Sequence, residues 1–123
     1  MSEQTCTPIP VDLTRVLAAL GGNLPVLEKI IDHLKANGPL QLELLRTGIE
    51  EKNHGEVRKA ARSLKDSLAN FGIGKAVRLS FLLEQEGKAQ NLISAPLLFA
   101  ELHHEVETIL TYFEGENWKK DWL

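Results

Sequence analysis

Residues 24–52 read LPVLEKIIDHLKANGPLQLELLRTGIEEK, and the Gly38-Pro39 pair at their centre decides the fold. The apolar seam of this segment runs Leu27, Ile31, Leu34, Gly38, Leu42, Leu45, Ile49, in steps of four, three, four, four, three and four. The helical phase therefore survives the proline, which predicts one long helix kinked near Gly38. Pro39 also disfavours helical geometry at the residue before it, so two helices joined by a tight turn are the alternative.

Outward from this segment, the chain breakers set the other elements. Asp12 is placed to cap a short helix carrying Leu13, Val16, Leu17 and Leu20, which Gly21 and Gly22 end. Asn23 restarts the chain, with Pro25 in the tolerated first turn. Asn53 and Glu56 have the spacing of a capping box, and the next helix runs to about Asn70 with Val57, Ala61, Leu64, Leu68 and Phe71 on its buried stripe. After a break at Gly72 and Gly74, residues 75–86 form a helix around Ala76, Leu79, Leu82 and Leu83 that Gly87 ends. Ser94 is expected to cap the last long helix, with Pro96 in its first turn and a seam of Leu98, Leu102, Val106, Ile109 and Phe113. No segment alternates as a strand does, and four amphipathic helices with short connections are best satisfied by an antiparallel four-helix bundle. The short first helix is expected to lie across one end as a lid. The expected division is a loose tail over 1–10, the bundle over 11–113 and a C-terminal tail over 114–123.

The 123 residues are enough for one core, with 43% hydrophobic and 25% charged residues in the ordinary globular range. A net charge of -3 gives no support for nucleic-acid binding. The single Cys6 excludes an internal disulfide and fits a reducing cytosol, so a cytoplasmic location is expected. The first ten residues carry no signal-peptide pattern, and no apolar run reaches the length of a membrane span. The chain reads as self-contained; its oligomeric state stays open, with a monomer favoured.

On the helix after Asn53, the buried stripe fixes the opposite face. Arg58, Arg62, Lys65, Asp66 and Ala69 fall on the solvent side by the helical period. Taken alone, such a cluster is ordinary solvated surface. However, Ala61-Arg62-Ser63-Leu64-Lys65-Asp66, followed by Ala69, Asn70, Phe71 and Gly72, resembles the motif of the histidine phosphotransfer (HPt) family. That motif reads Ala-His-x-Leu-Lys-Gly, then small residues, an apolar residue and glycine. VDLTRVLAALGGNLPVLEKIIDHL over 11–34 resembles the family's lid helix and long second helix, and Asn53 falls where the family often places an acidic cap nine residues before its histidine. LLEQEGK over 82–88 resembles the end of its fourth helix, so the likeness covers roughly residues 11–113.

The departures lie where the chemistry would be. Arg62 stands at the position of the phospho-accepting histidine and Asp66 at that of the glycine. A neutral imidazole offers nitrogen a lone pair for phosphoryl transfer, whereas a guanidinium is always charged and offers none. In the family the glycine lets a receiver's acidic pocket approach closely. Asp66 brings a like charge there, repelling by roughly 3–4 kcal/mol at about 4–5 Å before screening. Its alternative partner is Arg62 one turn back, a contact worth about 0.2–0.5 kcal/mol. Lys65 keeps the family position. The resemblance thus implies a degenerate HPt domain, not an enzyme and without cofactor, that binds a receiver domain or histidine kinase of a two-component system through Arg58, Arg62, Lys65, Asp66 and Ala69.

Other residues offer weaker chemistry. His54 lies about 12 Å along the axis from position 62, too far to replace it in one docked complex. His33 reads as a partly covered structural residue. His103 and His104 point about 100° apart and cannot chelate one metal; Glu101 and His104 give one Glu-x-x-His, but a di-iron bundle needs a second copy. No metal site is expected. Trp118 and Trp122 either fold back on the bundle or anchor a partner. The competing functional readings are an interaction bundle that uses those tryptophans, and a phosphotransfer protein that uses another histidine.

Overall fold

The computed structural model describes residues 11–72, 74–115 and 117–122. The expected 1–10 tail, with Cys6, lies outside the described residues. The elements are α1 (Thr14–Ala19), α2 (Leu24–Glu50), α3 (His54–Ala69), α4 (Gly74–Ala89), α5 (Ala95–Tyr112) and α6 (Lys119–Trp122). Each of the four long helices packs against its neighbours in the cycle α2, α3, α4, α5 and back to α2. This is an up-and-down bundle around one core.

The two-helix alternative for residues 24–52 is removed: α2 is a single helix with Pro39 inside it. Interior proline costs about 3 kcal/mol. It is tolerated because Pro39 faces solvent while Leu27, Ile31, Leu34, Leu42 and Leu45 are buried on the other side, each contributing about 1.5–3 kcal/mol. Asn23 and Asn53 cap as expected, their side-chain oxygens accepting from the Val26 and Glu56 N–H groups at 3.3 and 3.1 Å. The Asp12 carboxylate accepts from the Thr14 N–H at 2.9 Å, a bond that holds its pKa below the ordinary carboxylate value.

Two expectations at the last two long helices need correction. Gly87 does not end α4, which runs to Ala89. Instead Gly87 is buried where α4 meets α3, and a Cβ there would lie 2.8 Å from the Arg58 nitrogen and 2.9 Å from the His54 carbonyl oxygen. The glycine serves close helix approach, not termination. Ser94 precedes α5 but makes no side-chain cap. Its backbone is already helical (φ -95°, ψ -4°) and a proline in the first turn removes a donor, so the hydroxyl has no reason to turn inward. On α4, Leu82 is partly exposed, and Ser80 takes an inward position, its hydroxyl donating to the Ala76 carbonyl at 2.9 Å.

Both ends of the described chain close over one pole of the bundle. The Asp12 N–H donates to the Phe71 carbonyl at 3.0 Å, and Gly72 turns the chain there at φ +61°. Phe71 meets Phe113 at 5.3 Å, and Trp118 stands edge-on to Phe113 at 5.5 Å. Trp118 is only 3% exposed. The Tyr112 hydroxyl donates to Asp121 Oδ2 at 2.6 Å and accepts from Trp122 Nε1 at 3.0 Å. Lys119 reaches Glu28 on α2 at 2.7 Å. The tryptophan tail is folded back, which takes Trp118 away from any partner.

Candidate functional site

Helix α3 presents its face because its inner side is so strictly apolar. Val57, Ala60, Ala61, Leu64 and Leu68 are buried, which turns Arg58, Arg62, Asp66 and Ala69 to solvent. Among the described residues, neither arginine forms an ion pair, and Arg62 is not paired with Asp66. Arg58 and Arg62 are one turn apart, so two unneutralised guanidinium groups stand on the same surface. On a chain of net charge -3, this is a locally basic patch.

Lys65 departs from the expected solvent-facing position. Its ammonium crosses to α4 and donates to Glu84 Oε1 at 2.7 Å, with the two side chains 27% and 14% exposed. The same ammonium lies 5.6 Å from the centre of the Phe81 ring. A partly covered pair of this kind is worth about 1 kcal/mol, and the pairing cancels the lysine's charge toward any partner. Charge attraction is left to the two arginines.

Phe81 and Glu84 belong to the same face, and sequence reasoning missed both. Phe81 is 45% exposed, and Lys65 ties it to the edge of the arginine patch. The signal was present: Phe81 is a large aromatic off the buried stripe of α4, and such residues serve as interface anchors. Gly87 holds the two helices together close to Arg58, so α3 and α4 form one continuous surface.

The histidines are placed elsewhere. His54 is half-buried at the start of α3. His33 is exposed, contrary to its expected partial cover. His103 and His104 are exposed on α5, and His103 lies 5.8 Å from the Phe99 ring and 3.9 Å from Glu107. Among the described residues, no group of three or more His, Cys, Asp or Glu is placed to hold a metal ion. No described helix is long and apolar enough to cross a membrane.

The architecture is a lid helix on an up-and-down bundle, an HPt-like fold, in which α3 carries the exposed, charged face. Among solved structures the chain is similar to histidine-containing phosphotransfer protein B (HptB) from Pseudomonas aeruginosa PAO1, with a TM-score of 0.75 and 22% identity, over 92% of this chain and 98% of that one. At this identity the likeness establishes the fold. No protein-family model matches the chain, and neither does any curated protein.

Proposed function

We propose that this protein is a non-catalytic module of phosphorelay signalling. It binds a receiver domain or a histidine kinase through the α3 face and takes up no phosphate itself. The observation that carries this reading is Arg62, which is exposed and lacks an ion-pair partner among the described residues, in the middle of that face. A guanidinium has no lone pair with which to attack phosphorus, but it forms strong paired hydrogen bonds to carboxylate or phosphate oxygens. The neighbouring structure is named as a histidine-containing phosphotransfer protein, and the fold likeness supports placing this chain in the same kind of signalling. The mechanism is occupancy: Arg58 and Arg62 attract an acidic partner, Asp66 excludes those with unfavourable charge, and the small Ala69 admits close approach. A cytoplasmic setting is part of the same proposal.

Incubation with a phosphorylated receiver tests it. The expected result is amide shifts on residues 58–69 with no label retained on this protein. Retained label would overturn the non-accepting reading, and alanine replacements at His33, His54, His103 and His104 would then locate the acceptor. The double substitution Arg62→His with Asp66→Gly is expected to gain phosphate uptake from the same donor; no gain would count against the scaffold.

A further inference from the structure

On its flank away from α3, α4 borders a groove of about 410 Å³ that it shares with α5. Leu82, Glu86 and Ala89 form one wall and Leu98 the other. Beside it, two large aliphatic side chains face solvent: Leu82 at 37% and Leu97 at 69% exposure. Leu97 follows Ser94, which also lines the groove, by three residues on α5, so it belongs to the same helical surface. An apolar cluster at one corner of a small bundle is a recognised mark of an interaction site.

The second observation concerns Glu86. Its Oε1 atom is sealed from solvent and has no hydrogen-bond partner among the described residues. No lysine or arginine lines the groove. A carboxylate oxygen without a donor is costly, and because Glu86 lines the groove, a turn of its side chain brings that oxygen to a donor docked there. Glu101, exposed one turn beyond Leu97, adds a second acid to the rim.

We infer that this groove docks an amphipathic helix of a protein partner, whose aliphatic residues at helical spacing cover Leu82, Leu97 and Leu98 and whose lysine or arginine reaches Glu86. A helix fits because the walls are themselves helices with satisfied backbones, offering no open edge to a strand. A cation fits because the groove is lined by one acid, Glu86, and by no lysine or arginine. A second copy of this chain is disfavoured: two-fold pairing would set Glu86 and Glu101 near their own copies and still leave Glu86 without a donor. The inference does not rest on the role proposed for Arg62. It leaves the α3 face free, so the groove can hold its own partner at the same time.

The test titrates the full-length protein with a synthetic helical peptide of about 16 residues, long enough to hold a helix, with a leucine stripe and one flanking lysine. Saturable amide shifts are expected on 82–89 and 94–101 and not on 58–69. Glu86→Gln, Leu97→Ser, or a peptide with the lysine changed to glutamate should each weaken binding by about tenfold. Because Leu97 is exposed, its serine variant should keep the wild-type melting temperature, which separates lost docking from lost folding. Equal binding of the lysine and glutamate peptides, no saturation, or shifts on 58–69 would overturn the inference. So would a concentration-dependent dimer whose groove amides shift without peptide, since that assigns the groove to a second copy.

Discussion

Against α3, helix α4 comes so close that a methyl group at Gly87 would sit 2.8 Å from the Arg58 nitrogen, whereas against α5 it leaves a groove of about 410 Å³. The first flank is basic: two arginines with no ion pair among the described residues stand beside a lysine already matched by Glu84. The second is apolar and acidic, with exposed leucines beside a glutamate oxygen that has no partner among the described residues. One helix therefore separates two surfaces of opposite chemistry, and partners suited to one are unsuited to the other. Charge, more than shape, keeps them apart.

The largest effect comes from the wall they share. Gly87→Val places side-chain atoms against backbone that has no rotamer to change, and should cost about 3 kcal/mol, read as a lower urea midpoint. Because α4 borders both surfaces, receiver binding and peptide binding should fall together. Arg62→Glu should then separate them. Receiver binding should drop by about tenfold while the groove peptide binds as before, measured by titration at low salt. A gentler change sharpens the first flank: Glu84→Gln frees Lys65, adds one unmatched positive charge to that face, and should raise receiver association about twofold to fivefold in a stopped-flow experiment. Its stability cost should be about 1 kcal/mol.

The smallest effect on either surface is expected from pH. Burial, reinforced by the hydrogen bond to Asp121, pushes Tyr112 up to about 12, above its ordinary value of 10.0. The folded state thus favours the protonated phenol. The tail contact is fully present below pH 10, and its stabilisation is lost as pH rises from about 10 to about 12. Tryptophan fluorescence should report release of Trp122 over that range while amides of residues 58–69 stay unmoved. Tyr112→Phe should abolish the transition.

The sequence revealed these regions unequally. On α3, apolar and charged residues alternate with a strict helical period, so the buried stripe and the exposed arginines could both be assigned by counting. On α4, Leu82 and Leu83 are adjacent and equally apolar, and periodicity has no means of choosing which one turns inward. The groove is a consequence of that choice, so it stayed hidden. Gly87 looked like a helix stop because glycine commonly has that role; its packing role depends on how near α3 lies. The direction of Lys65 was hidden for a similar reason, since Glu84 is nineteen residues away in sequence. The continuity of α2 through Pro39 was legible because the seam keeps its phase on both sides.

The contact at Gly87 also limits how this molecule can signal. At Gly87 the neighbours across the contact are backbone atoms of His54 and Arg58, which have no rotamer to turn aside when α3 and α4 shift, and close-packed elements of this kind tend to move as one body. The pair behaves as a splint. A ligand on one flank has no sliding joint through which to reshape the other, so two occupants influence each other by bulk and charge across the width of a single helix.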